Sequence, residues 1–230
     1  MTVRILAIDL TSECGSLALV SEPRASASDL PYVVEVAIQS KDGFSHVMFD
    51  PIHALLRNNG WPLNSIDCFA VAHGPGSFTG VRVGVAAAKG FAAAMGKPII
   101  CVSNLRAIAS YGSSPVRAAI LDAHREQIYG GVYNADLDLI GEELVIKPAA
   151  WLESLPKGIE FVSAETVMFA AWAPKITIAP RALAGAIGRI AARDFKAGKA
   201  IDPAAADANY VRRSDAEMFV SSYRPLQQNK

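Results

Sequence analysis

The sequence predicts an α/β protein made of two small lobes, and four observations predict it. A chain of 230 residues, 51% of them hydrophobic, is long for one compact core and suits two. Its opening reads as an antiparallel meander of three strands. The stretch that follows alternates strand, helix, strand, helix, the pattern of a parallel sheet portion. A second block then begins after a Gly/Ser-rich break at residues 110–115.

Taken in order, Val3-Arg4-Ile5-Leu6-Ala7-Ile8-Asp9 is short, apolar and rich in branched residues, as a buried strand is. Thr11-Ser12-Glu13-Cys14-Gly15 is a polar turn, and Ser16-Leu17-Ala18-Leu19-Val20 a second strand. A Ser/Pro-rich loop leads to a third, Tyr32-Val33-Val34-Glu35-Val36-Ala37-Ile38. Residues 45–58 predict a helix, because Met48, Ile52, Leu55 and Leu56 recur at helical spacing. Asp50-Pro51 suits a cap and a first turn, so the helix starts at Pro51 or kinks there. His46 and His53 are seven apart, wider than a helical metal pair, and no third ligand stands nearby, so no metal site is expected.

Asn59-Gly60-Trp61-Pro62 ends that segment, and residues 68–72 are a strand. Next comes Gly74-Pro75-Gly76-Ser77-Phe78-Thr79-Gly80-Val81-Arg82-Val83-Gly84, a glycine-rich turn opening a helix of unusually small residues. Gly96-Lys97-Pro98 stops that helix. Residues 98–102 form a strand, and Ser103 caps a helix carrying Leu105, Ile108 and Ala109. In the second block, residues 116–121 and 128–133 read as a hairpin. Between them, Asp122, His124 and Glu126 alternate and could share one face of a strand as a polar cluster, but a solvated hairpin surface is the preferred reading. Residues 139–162 give strand and helix fragments without a fixed order, and a pseudo-repeat of the two blocks is only weakly visible. Ala182, Leu183, Ala186, Ile187, Ile190 and Ala191 form an amphipathic helix, ended by Gly198-Lys199 with Pro203 beyond.

Composition excludes several classes. The 22 basic and 22 acidic residues cancel, and no Lys/Arg run is dense enough for a stand-alone nucleic-acid binder. Cys14, Cys68 and Cys101 are odd in number and lack CxxC spacing, which argues against a disulfide framework and for a reducing setting. The N-terminus does not read as a signal peptide, and no stretch is long and apolar enough to cross a bilayer. A cytoplasmic protein with no membrane partner is the expectation.

The glycine stretch admits two readings. Free N–H groups at a helix start hold anions; alternatively, the turn only aims the helix. Asp9, Thr11 and Ser12, at the end of the first strand, are either a phosphate-and-metal contact or an Asx or Ser/Thr turn. Three enzyme motifs fail here. The glycines at 74, 76 and 80 miss the G-x-G-x-x-G spacing, and residues 94–104 contain no acid. Gly80-Val81-Arg82 lacks the P-loop Lys. Pro75 stands where a G-x-S-x-G elbow around Ser77 needs glycine. No complete catalytic set remains.

Three stretches carry a resemblance to a known family. They are Ile5-Leu6-Ala7-Ile8-Asp9 with Thr11-Ser12; the Gly74–Gly84 stretch with Ala88-Lys89-Gly90; and Leu121-Asp122-Ala123-His124-Arg125-Glu126-Gln127-Ile128-Tyr129. Tyr210-Val211-Arg212 is a weaker fourth. In the right order and across almost the whole chain, these resemble the TsaB (YeaZ) family, which takes part in making threonylcarbamoyladenosine in tRNA. The residues flanking His46 differ from that family's usual pattern.

The resemblance implies a two-lobed actin-like ATPase (ASKHA, ribonuclease H-like) fold with mixed sheets and flanking helices. The lobes would be residues 1–109, holding the glycine loop and partner-binding helices, and 110–230, with a tail that packs back on the first. It implies a non-catalytic subunit that supports threonylcarbamoyl transfer by TsaD. The His-x-x-x-His metal motif of that catalytic subunit is absent, since Asp50 lies four residues after His46. Implied partners are TsaD as a heterodimer, TsaE, and a second copy of the chain through the same face; tRNA is met only through the complex. Phe49, Ile52, Val81, Val85, Ala88 and Phe91 are the interface candidates. Asp9, Thr11, Ser12, Gly74 and Gly76 are the nucleotide or phosphate candidates. No cofactor is expected on this subunit itself, ATP or ADP being left to the complex. The rival expectation is an independent ATPase or peptidase-like enzyme of the same fold superfamily.

Overall fold

The computed structural model describes residues 2–23, 32–165 and 176–211. The Ser/Pro-rich loop at 24–31 and the Arg212-Arg213 pair lie outside the described residues.

The first sheet contains β1 (Thr2–Asp9), β2 (Cys14–Pro23), β3 (Tyr32–Gln39), β4 (Cys68–Ala72) and β5 (Ile99–Val102), in the order β3-β2-β1-β4-β5. The first three run antiparallel, and β4 and β5 add in parallel. The second sheet contains β6 (Val116–Asp122), β7 (Ile128–Asn134), β8 (Leu139–Ile146), β9 (Glu160–Ser163) and β10 (Ile176–Ile178), in the order β10-β9-β6-β7-β8. Here too the first three strands are antiparallel and the last two parallel. The two sheets therefore repeat one topology, which the sequence showed only as a weak pseudo-repeat.

Alternation along β1 decides which layer each side chain enters. Leu6 and Ile8 join one apolar cluster, with α1 (Phe49–Asn58) and α2 (Phe78–Met95). Val3, Ile5 and Ala7 join another, which holds α3 (Asn104–Ala109) and α5 (Ala184–Lys196). Those two helices exchange sheets. The helix that follows β5 packs on β6, β7 and β9; the helix that follows β10 packs on β1, β2, β4 and β5. The short α4 (Pro148–Ser154) buries Trp151 against the far face of the second sheet.

The exchange is anchored by polar contacts at both helices. Leu183, the residue before α5, carries no side-chain cap. Instead Ser16 Oγ of β2 accepts the N–H groups of Leu183 and Ala184 at 3.1 and 2.9 Å, and Glu35 of β3 accepts that of Gly185 at 3.0 Å. Acceptors from one sheet thus satisfy helix donors that would otherwise be orphaned. Arg106 of α3 forms a forked ion pair with Asp194 of α5, its Nη2 lying 3.1 Å from Oδ1.

One local expectation is corrected. The helix at 45–58 begins at Phe49, with Met48 before it and Asp50 in its first turn rather than at its cap. Pro51 sits inside the first turn, where its missing N–H leaves no bond unmade. Asp122, His124 and Glu126 lie at the exposed end of the β6–β7 hairpin, the reading the sequence favours, rather than on one strand face. Asp122 ends β6, while His124, Arg125 and Glu126 turn the chain with φ of 58°, 55° and 58°. Ser103 does cap α3, accepting from Leu105 and Arg106.

Candidate functional site

A cleft of about 860 Å³ opens where the ends of the two equivalent first strands face each other. Asp9 of β1 and Asp122 of β6 both line it, as do Ser77, Asn104, Arg181 and Tyr210. The floor is a polar network joining three elements. Asp9 Oδ1 accepts from the Thr11 amide at 3.0 Å and from Thr11 Oγ1 at 2.6 Å. Asn104 Nδ2 donates to Thr11 Oγ1 at 2.6 Å, and Asn104 Oδ1 accepts the Gly74 amide at 3.1 Å. Ser77 N donates to the Thr11 carbonyl at 2.7 Å, which closes the loop onto the β1–β2 turn.

Asp9 is 0% exposed, and its Oδ2 has no hydrogen-bond partner among the described residues. Burial pushes its carboxyl above the ordinary carboxylate range, against the two bonds from Thr11 that favour the charged form. Ser12 forms a local turn instead, its hydroxyl donating to the Cys14 carbonyl and accepting from the Cys14 amide. On the opposite wall, His124 bonds back to Asp122 through both its amide (2.7 Å) and Nδ1 (2.9 Å).

The glycine loop has the geometry of a close approach. A Cβ on Gly76 would stand 2.6 Å from the Thr11 carbonyl oxygen. Most of the loop's donors are already spent: Gly74 N on Asn104, Ser77 N on Thr11, Gly80 N on Ser77 Oγ, and Val81 N on Ser77 O. These residues do not fit a preformed cradle for the phosphates of ATP or ADP. Gly76 serves the packing of the loop on the β1–β2 turn, and Gly74, with φ of 110°, its close approach to the Asn209 carbonyl. No cluster of three or more metal-ligating side chains stands among the described residues.

The tail forms the third wall. Asn209 donates from its amide to His73 O at 2.7 Å and from Nδ2 to Glu143 at 2.6 Å, so it touches both sheets' flanks. Glu143 also accepts from Ser103 and Tyr133. Tyr210 stacks near Phe78 and accepts from Arg82 Nε at 2.9 Å. Lys89 holds the carbonyls of Ala204 and Ala206.

The interface candidates separate by burial. Ile52, Val81, Val85 and Ala88 lie in the core between the helices and their own sheet, Ala88 being 0% exposed. A larger side chain there would disrupt the fold before it touched a partner. Phe49 is 43% exposed and packs on Phe91, which in turn stacks on buried Phe69. Ala86, Gly90 and Ala93 face outward beside them, and a Cβ on Gly90 would meet nothing within 4 Å. Sequence reasoning missed Asn104, the hub of the cleft floor, and the Phe78–Arg82–Tyr210 group. The only signal for Asn104 was a polar residue directly behind a capping serine.

Known proteins give this geometry a setting. A family model described as "TsaD: tRNA N6-adenosine threonylcarbamoyltransferase" matches residues 39–186. The chain is 33% identical over 156 residues to the tRNA threonylcarbamoyladenosine biosynthesis protein TsaB of Bacillus subtilis (strain 168), covering 66% of this chain and 65% of that one. It is 34% identical over 155 residues to the protein of the same name from Escherichia coli (strain K12), covering 64% and 63%. The matches thus span slightly less than two thirds of these curated relatives. A crystal structure described as an uncharacterized protein with similarity to peptidase YEAZ from Pseudomonas aeruginosa superposes with a TM-score of 0.73 at 24% identity, over 91% of this chain and 100% of that one. That likeness shows the fold: two mixed sheets with flanking helices, of the ribonuclease H-like, actin-like ATPase kind. The chain belongs to the family whose model it matches and, within it, to the TsaB (YeaZ) group.

Proposed function

We propose that this chain is a non-catalytic subunit in the formation of threonylcarbamoyladenosine in tRNA, supporting a TsaD-type transferase rather than performing the transfer. The observation that carries this reading is the inward commitment of the glycine loop. The Ser77 amide holds the β1–β2 turn, the Gly74 amide holds Asn104 of α3, and the Ser77 hydroxyl caps α2 itself, leaving a scaffold in the position where the fold would otherwise host chemistry. The names of the relatives supply the pathway.

In this reading the partner packs on the outer faces of α1 and α2, where Phe49 and Phe91 flank the small residues Ala86, Gly90 and Ala93. Small side chains let a second helix approach closely and gain packing. A TsaD-type protein is the first occupant of that face, a second copy of this chain the alternative one, and TsaE joins the assembled pair. Any ATP or ADP belongs to that assembly, and the setting is the cytoplasm. Co-purification with a TsaD-type protein tests the pairing. Ala86→Arg, on the exposed face, abolishes it while leaving the melting temperature unchanged. Retention of the partner by that variant contradicts the assignment.

One observation favours a second reading, an independent ATPase or hydrolase. The unpartnered Oδ2 of Asp9 borders a cleft of ligand size. Nucleotide titration of the isolated chain separates the two: saturable turnover lost on Asp9→Ala supports the enzyme.

A further inference from the structure

The mouth of the cleft carries a group of side chains that the scaffold role does not use. Phe78, the first residue of α2, is 52% exposed, and Tyr210 of the tail is 46% exposed. Their ring centroids lie 5.9 Å apart at an interplanar angle of 43°. The Arg82 guanidinium lies 3.8 Å over the Phe78 ring, and its Nε donates to the Tyr210 hydroxyl at 2.9 Å. Arg82 is therefore held by one nitrogen and one ring face, while its two terminal nitrogens have no hydrogen-bond partner among the described residues. A guanidinium fixed in this way presents its remaining donors as a fork suited to a phosphate.

The platform is built in advance of any ligand. Tyr210 follows Asn209, which is bonded to His73 and Glu143, and the tail before it is pinned by Lys89. Phe78 is fixed by the helix that it opens. All three side chains line the concave mouth, away from the face of Phe49, Ala86 and Gly90. Exposed Arg181 lines the same cleft.

An exposed aromatic surface with a fixed cation beside it matches one chemistry well: a flat base attached to a phosphate. Unpaired bases stack on such side chains with little sequence preference, while arginine takes the backbone. We propose that Phe78, Arg82 and Tyr210 form a docking point for an unpaired nucleotide of an RNA, the base on the aromatic pair and the phosphate on the free end of Arg82. This inference rests on the role in tRNA modification and deepens it: the subunit touches the RNA itself. The net charge of zero fits a single anchoring contact rather than a stand-alone RNA binder.

The test uses the chain assembled with its TsaD-type partner and a full-length tRNA transcript carrying 4-thiouridine. Irradiation cross-links the RNA to Phe78 or Tyr210. Phe78→Leu and Tyr210→Leu each weaken RNA binding by roughly 5- to 100-fold, the range of one lost base stack. Arg82→Gln lowers the slope of log affinity against log salt by about 1, as loss of one phosphate contact does; Arg82→Lys restores the slope but not the full affinity. Partner retention and melting temperature stay unchanged in all four variants. Wild-type RNA affinity in the leucine variants, with cross-links elsewhere, overturns the inference and leaves the subunit role standing. Complete competition by adenosine monophosphate overturns it in favour of a free nucleotide. Release of the partner protein by Phe78→Leu overturns it in favour of a protein contact. If no assembly forms, the subunit role fails, and cross-linking of the chain alone to a 4-thiouridine pentanucleotide decides the inference.

Discussion

A Cβ placed on Gly80 would stand 1.9 Å from the carbonyl oxygen of Leu10. The contact is with backbone, so no side chain can swing aside to relieve it. Gly80→Ala must push the start of α2 away from the β1–β2 turn and loosen the Ser77–Thr11 bond. We expect a loss of about 3 kcal/mol, the upper range of overpacking, read as a lower midpoint in thermal or denaturant unfolding. Gly90, ten residues along the same helix, is the internal contrast. Its Cβ would meet nothing, so Gly90→Ala stabilises by roughly 0.5–1 kcal/mol.

Arg106 and Asp194 join the two exchanged helices. Asp194 is burdened by burial, which alone would raise its pKa, but its bonds to Arg106 and Lys199 outweigh this and hold the carboxyl below its ordinary value of 3.8. Asp194→Ala leaves the guanidinium largely buried and unpaired and costs roughly 3 kcal/mol. Because the folded pKa is depressed, this stability is present above the unfolded pKa and disappears as the pH falls through the folded one. The gap in melting temperature between wild type and Asp194→Asn is therefore full at pH 7 and closes only below about pH 4.

Asp9 has the opposite sign. Its raised pKa means that the folded state favours the protonated carboxyl, so its contribution is present at low pH and lost as the pH rises through the folded value. Asp9→Asn keeps an acceptor for Thr11 and removes the buried charge. The variant is at least as stable as wild type at pH 7, and its advantage shrinks as the pH falls towards 4. A variant markedly less stable at pH 7 would show that the charge is compensated.

Ser16 caps a helix that belongs to the other half of the chain. Ser16→Ala leaves the buried N–H groups of Leu183 and Ala184 without an acceptor. The expected cost is about 1–3 kcal/mol, measured by unfolding. Hydrogen exchange at Ala184 rises with it, while exchange in α2 does not.

How much of this was legible in the sequence depends on how local each signal is. The strands at 3–9 and 68–72 and the cap at Ser103 were readable because period, burial and capping chemistry act within a few residues. The exposed hairpin end at His124, Arg125 and Glu126 is legible from its polarity, but its backbone shape is not, because three successive non-glycine residues at positive φ are rare. The exchange of α3 and α5 between sheets was invisible, since Ser16 and Leu183 are separated by 167 residues. The interface candidates Val81, Val85 and Ala88 were chosen for the smallness of their helix; that same smallness lets α2 press on its own sheet, which is why they are buried.

The central claim is that this chain supports the modification without carrying out its chemistry. The direct measurement is the threonylcarbamoyladenosine content of tRNA, read by mass spectrometry of nucleoside digests, after reaction with a TsaD-type enzyme with and without this chain. The account predicts that product formation rises strongly when the chain is added. It also predicts that the rise survives Asp9→Asn and is abolished by Ala86→Arg. Equal product without the chain, or product formed by this chain with no transferase present, would contradict it.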